Sequence, residues 1–204
     1  MKKRITLTLV MVLALTLLAA CSNNNSGNNN FKYGHDFMAN NLKGDFSITY
    51  KFTMTGNEGE DHQVFMRTSE GYYFSVSGIE MLHVKNGDMY DAYMNLGGGS
   101  LEHYGEPITK EQVEESFTPI STMKVMEQAY GSMLKKDGAE TIVGRSCDIY
   151  SATINGEGGT GKLSYSFDQQ TGILLKWSVE STEGSMIYEC TEFKTSGVTL
   201  PTPN

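Results

Sequence analysis

The sequence predicts a mainly β, α+β fold: mostly antiparallel sheet, with one helix at the start and a helical pair inserted in mid-chain. Three observations carry this. Residues 46–54 alternate apolar and polar without a break. Short apolar runs separated by glycine turns follow on both sides of the middle. Spacings of three and four between apolar residues are confined to two places.

In order along the chain, residues 35–43 read as a short amphipathic helix, with Phe37, Met38 and Leu42 on one side and Gly44 to end it. The first strand follows. In it Phe46, Ile48, Tyr50, Phe52 and Met54 alternate with Ser47, Thr49, Lys51 and Thr53, the period of a sheet with one wet face. After a turn at 56–61, residues 63–68, 72–77 and 80–85 form a meander with Gly71 and Gly78 between strands. Asn86 and Gly87 signal a tight hairpin into 88–94, and Gly97 to Gly99 break the pattern.

The middle changes period. Thr109 is placed to cap a helix with Gln112 three residues on, and Pro119 is read as its end. A second helix starts at Ser121, where Met123, Met126, Tyr130, Met133 and Leu134 recur at helical spacing, and Lys135 and Lys136 suit its negative C-terminal end. Strands resume at 140–143, 147–153, 162–167, 173–180 and 186–194, joined by turns at 155–161, 169–172 and 181–184.

The N-terminus has a separate logic. Met1, Lys2, Lys3 and Arg4 precede an apolar run from Ile5 that is shorter than the ~20 residues a membrane-crossing helix needs. The run ends in Leu18, Ala19, Ala20 and Cys21, which resembles the lipobox of bacterial lipoproteins. That resemblance implies a signal peptide over 1–20 and lipid on Cys21, whose acyl chains anchor the chain to the outer face of a membrane, cell membrane or outer membrane alike. Residues 21–30, rich in asparagine, are expected to be a flexible tether, and 31–204 a single domain.

The leader holds three of the 16 Lys and Arg residues, so the remainder carries 13 against 24 Asp and Glu, a formal net charge of −11. Such acidity argues against nucleic acid or anionic headgroups as partners and suits a soluble surface. Beyond Cys21 only Cys147 and Cys190 remain. An exported chain lives where disulfides persist, so these two are expected to pair, with two buried thiols as the alternative.

Nothing in the sequence assembles a catalytic centre. His35, His62, His83 and His103 lie in separate segments without metal-ligand spacing, Gly97 to Gly99 lacks the lysine and helix of a phosphate cradle, and Glu111, Glu114 and Glu115 suit a helix start. No enzyme activity, metal or cofactor is expected.

A wider resemblance rests on the lipobox, the helix leading into a long alternating strand, the mid-chain helices and the C-terminal meander. Val143, Gly144, Arg145, Ser146, Cys147, Asp148, Ile149 and Tyr150, then Phe167, Asp168, Thr171, Gly172, Ile173 and Leu174, and finally residues 193–201, look like the last hairpins of lipoprotein carriers of LolA and LolB type. That family implies a curved sheet, nearly a half barrel, closed by helices over an apolar cavity for acyl chains. Independently, Phe46, Ile48, Tyr50, Phe52, Val64, Met66, Tyr72, Phe74, Met123, Met126, Tyr130 and Trp177 are candidates to converge on one interior, and methionine adapts well to chain-like ligands. The sequence thus leads to a membrane-anchored envelope lipoprotein that binds a lipid or other hydrophobic ligand. The alternative is a non-enzymatic interaction or structural lipoprotein whose interior is a dry core.

Overall fold

The structure is a computed structural model and describes residues 31–56, 61–156, 159–182 and 184–203. The signal peptide, Cys21 and the tether lie outside the described residues, as do the middles of the turns at 56–61, 155–161 and 181–184.

Helix α1 (His35–Asn41) leads into β1 (Phe46–Met54), β2 (Asp61–Thr68), β3 (Gly71–Val76), β4 (Ile79–Asn86) and β5 (Met89–Asn95), with short β6 (Glu102–His103) and β7 (Ile108–Thr109) after them. Helices α2 (Lys110–Ser116) and α3 (Thr118–Tyr130) follow, then β8 (Lys135–Ile142), β9 (Arg145–Gly156), β10 (Gly159–Asp168), β11 (Leu174–Ser181) and β12 (Gly184–Lys194). All twelve strands form one antiparallel sheet, curved and unclosed, in the order β6-β5-β4-β3-β2-β1-β12-β11-β10-β9-β8, with β7 also on β5.

This order explains what the helices do. From β1 at the centre the chain meanders outward to β6, crosses to the opposite edge through α2 and α3, and meanders back until β12 pairs with β1. The crossing has to pass over one face of the sheet, and it covers the face on which Phe46, Ile48, Tyr50 and Phe52 are buried. The first wing is β2–β7 and the second β8–β12.

Two local expectations are corrected. The Thr109–Gln112 capping box forms, with the Thr109 amide donating to Gln112 Oε1 at 2.8 Å. Pro119, however, opens α3 rather than closing α2, since its missing N–H and fixed φ suit the first helical turn. Lys135 and Lys136 do not end a helix: α3 stops at Tyr130, and the two lysines begin the edge strand β8. Charge on an exposed edge strand discourages pairing with another chain.

On the opposite face, Tyr73, Leu82 and Leu101 form a second, smaller core with Val64, Met66, Val84, Tyr93 and Leu200. Val64 and Met66 are thereby excluded from the interior that the sequence assigned to them. Their neighbours Gln63, Phe65 and Arg67 take the inner positions, opposite Tyr50, Ile48 and Phe46.

Candidate functional site

Strand register sorts the inner face into rungs of directly opposed side chains. Phe46, Arg67, Tyr72, His83 and Ala92 make one, and Ile48, Phe65, Phe74, Met81 and Met94 the next. On the second wing Phe52, Tyr188, Trp177, Tyr165 and Tyr150 share a rung, and below it Met54, Met186, Val179, Leu163 and Ala152.

The helices cover only part of this surface. Phe117, at the α2–α3 junction, packs edge-on against Tyr72, Phe65 and Phe46 at 5.2, 5.8 and 6.1 Å between ring centres. At the far end of α3, Tyr130 reaches Tyr165 at 6.4 Å, with Met123 and Met126 buried between. Beneath this lid the interior is a packed aromatic core. Beyond it Met54, Phe74, Val76, Trp177, Val179 and Met186 are only partly buried, Met81 and Met94 likewise, and Ile79 is exposed. They form an apolar margin along the inner face.

The residues that the sequence gathered for a cavity are therefore divided. Phe46, Ile48, Tyr50 and Phe52 are buried in the core, Met126 and Tyr130 belong to α3 of the lid and face that core, Phe74 and Trp177 stand in the margin, and Met66 is on the other face. The sequence reading missed Met54, Val76, Met81, Met94, Val179 and Met186 as margin residues. Its own alternation in 46–54 contained the signal for Met54, and the hairpin after Asn86 contained that for Met81 opposite Met94.

Polar groups on this face are mostly matched. Tyr50 and Tyr188 stack at 4.4 Å; the Tyr50 hydroxyl donates to the Leu174 carbonyl at 2.6 Å, and that of Tyr188 to Gln63 Oε1 at 2.9 Å. Burial, and then each phenol's neighbours, push both well above the ordinary tyrosine range, so they remain neutral donors. Arg67 lies over the Phe46 ring and donates to the carbonyls of Leu42 and Gly44 at 2.7 and 3.0 Å. His83 is the exception. It is 3% exposed, Nδ1 has no hydrogen-bond partner, and burial lowers its pKa.

The second wing is clamped to α1 by a turn whose pattern was visible in the sequence. Arg145 Nε and a terminal guanidinium nitrogen donate to the two oxygens of Asp168 at 2.9 and 2.8 Å, and the Thr171 amide donates to the same carboxylate at 2.8 Å. Burial raises the pKa of Asp168, but the donors from Arg145 and Thr171 outweigh it, and the net shift is downward. Gly172 closes the turn at φ +75°, where a side chain would meet the Phe37 ring of α1.

Cys147 and Cys190 are free buried thiols, and the expected disulfide is absent. The sheet explains why. They lie on β9 and β12 with β10 and β11 between, and three strand spacings put their backbones roughly 14 Å apart, twice the reach of a disulfide. Burial pushes Cys147 up to about 11 and Cys190 up to about 12.

An open groove of about 510 Å³ lies on the outer face of the second wing, lined by Ser151, Thr153, Thr160, Lys162, Glu180 and Thr182 among others. It is hydroxyl-rich and charged, the opposite of the inner margin. Among the described residues, no group of three or more His, Cys, Asp or Glu side chains is placed to hold a metal ion, and no helix is long and apolar enough to cross a membrane.

The helix, long strand, mid-chain helices and C-terminal meander match the layout implied by the carrier resemblance. No protein-family model matches the sequence, and no curated protein matches it. Among solved structures, the chain is similar to LprF from Mycobacterium bovis, at 12% identity over 83% of this chain and 96% of that one, with a TM-score of 0.42. It is also similar to the lipoprotein LppX from Mycobacterium tuberculosis, at 14% identity over 81% and 95%, TM-score 0.42. A third likeness is to a chain in the Pseudomonas aeruginosa MucA/MucB complex, at 12% identity and TM-score 0.45, over 81% of this chain and 58% of that one.

Proposed function

We propose that this chain is an envelope lipoprotein, anchored through Cys21, that holds a lipid acyl chain or a similar extended apolar ligand along the uncovered margin of its curved sheet. The observation that carries the reading is the partial lid. Aromatic residues fill the interior under α3, whereas Phe74, Val76, Met81, Trp177, Val179 and Met186 stay partly exposed on the same face. Leaving such residues against water is unfavourable by about 25 cal/mol per Å² of apolar surface, and an alkyl chain laid on them removes that contact. Unbranched thioether side chains adjust to a flexible chain better than branched ones. The Tyr50 hydroxyl is spent on the Leu174 carbonyl and that of Tyr188 on Gln63, so neither adds a free charge, which suits an apolar ligand. The reading includes no catalytic step.

The test is a native mass spectrum of the detergent-free chain, exported from a bacterium, before and after organic extraction. The expected result is an extractable mass in the range of a lipid, bound to a chain whose own mass includes the Cys21 modification. A bare polypeptide that no added lipid stabilises contradicts ligand binding.

A further inference from the structure

We propose that Asp61 reads the polar end of the ligand and selects a chain that carries an ammonium group there over one that ends in a carboxylate. The proposal rests on the reading of the margin as the ligand surface.

The strand register sets Asp61 beside that surface. It stands opposite Phe52 across the β1–β2 pair, so it extends the rung of Phe52, Tyr188 and Trp177. On β2 it alternates in step with Gln63 and Phe65, which are buried on the inner face. Its charge is felt there: burial first, and then Asp61, push the Tyr188 phenol well above the ordinary tyrosine range. Asp61 itself is only partly buried, at the rim where Val76 and Ile79 end the inner face of β3 and β4.

A strained turn holds the carboxylate in place. Ser77 and Gly78 join β3 to β4 at φ +52° and +82°. Glycine, asparagine or aspartate take such a turn most readily, and a serine there bears some strain. The Ser77 hydroxyl donates to Asp61 Oδ2 at 2.7 Å, a bond that glycine at that position would lose.

Among the described residues, no lysine or arginine stands with Asp61 on the inner side of this rim. The first wing has two basic residues, Arg67 and Lys85, each near the far end of its strand, and Arg67 is spent on the carbonyls of Leu42 and Gly44. Lys51 and His62 alternate out of step with Phe52 and Asp61 and project from the outer face. Lys124 of α3 shares a flank with Glu127, whose carboxylate accepts from the His35 amide of α1, at the opposite end of β1 from the rim.

An alkyl chain that sets out from Asp61 crosses Met54 on β1 and Met186 on β12, then reaches Val179 and Trp177 on β11, three strand spacings or roughly 14 Å away. An ammonium a few ångströms from a carboxylate is favoured about fivefold even in water, and a second carboxylate there is disfavoured by a similar factor. Apolar contacts thus hold the chain, and Asp61 discriminates among heads by attracting one and repelling the other.

The test titrates the full, delipidated chain at neutral pH with alkyl chains of one length, brominated at the far end and ending in ammonium, hydroxyl or carboxylate, below micelle formation. Trp177 fluorescence reads each affinity. The ammonium chain should bind about tenfold or more tightly than the carboxylate chain, with the hydroxyl chain between them. Asp61→Asn, which keeps an acceptor for Ser77, should reduce that ratio to about threefold or less, and Asp61→Lys should invert it. Glu180→Gln, on the outer face, should leave it in place. Equal affinity for all three chains, or a preference that Asp61→Asn does not change, overturns the role of Asp61 and leaves the margin standing. Absence of quenching by any of the chains overturns the margin reading and this proposal with it.

Discussion

The inner face of the sheet is one surface in its sequence pattern and two in its behaviour. Under the lid, Phe117 sits among Phe46, Phe65 and Tyr72, and the residues around it are nearly inaccessible. A few rungs away Met54, Met186, Val179 and Trp177 point the same way and are only partly buried. Period-two alternation tells which side chains share a face. It does not tell which of them a crossing helix will cover. That is decided by the path of α2 and α3 from one edge to the other, and the difference separates residues that hold the fold from residues free to hold something else.

The largest expected effects lie on the covered side and in its clamp. Phe117→Ala should cost about 3–5 kcal/mol, since it empties the middle of an aromatic cluster. Asp168→Ala should cost a similar amount, about 3–5 kcal/mol, because it strands Arg145 beside a half-buried turn. Urea denaturation measures both. If either left the midpoint in place, the lid or the clamp would not be what stabilises the domain.

A pH experiment sharpens the comparison within the lid. Burial lowers the His83 pKa below its unfolded value of 6.5, so the unfolded chain binds the extra proton more readily. The neutral form's stability is fully present above pH 6.5 and is lost as pH falls below it, by at most about 1.4 kcal/mol per pH unit. His83→Leu should remove that slope. A wild-type midpoint that changes between pH 7 and pH 5 no more than the variant's would contradict the orphaned, buried imidazole.

On the margin the balance reverses. Met186→Ala should lower stability by about 1 kcal/mol, a fraction of the fully buried cost, because the side chain is only partly buried. The same substitution should weaken lipid retention in the extraction experiment. The smallest effect concerns the thiols. With pKa values raised to about 11 and about 12, Cys147 and Cys190 should resist a thiol reagent in the native chain at pH 8 and both react after denaturation. Rapid native labelling would place them outside the core.

Much of the fold was legible because local signals agreed. The strand 46–54, the Thr109–Gln112 cap and the turn from Asp168 to Gly172 each combine periodicity with a capping or turn residue. The errors arose where a local signal had two meanings. Pro119 serves a helix start as well as a helix end, and Lys135 and Lys136 suit an edge strand as well as a helix terminus. Met66 was misassigned because its strand carries apolar residues on both faces, with Gln63 and Arg67 inward, matched by Tyr188 and by the carbonyls of Leu42 and Gly44. The thiol pair was misjudged for a different reason, since strand order is a long-range property that places β10 and β11 between the two cysteines.

Trp177 is the only tryptophan in the chain and stands in the margin, so its fluorescence reports directly on what lies there. The most direct measurement titrates the delipidated chain with a phospholipid brominated on its acyl chain, beside the unbrominated lipid. Binding along the margin predicts saturable quenching by the brominated chain alone, reduced by Met186→Ala. Fluorescence that stays the same through saturating lipid would contradict a ligand on this face.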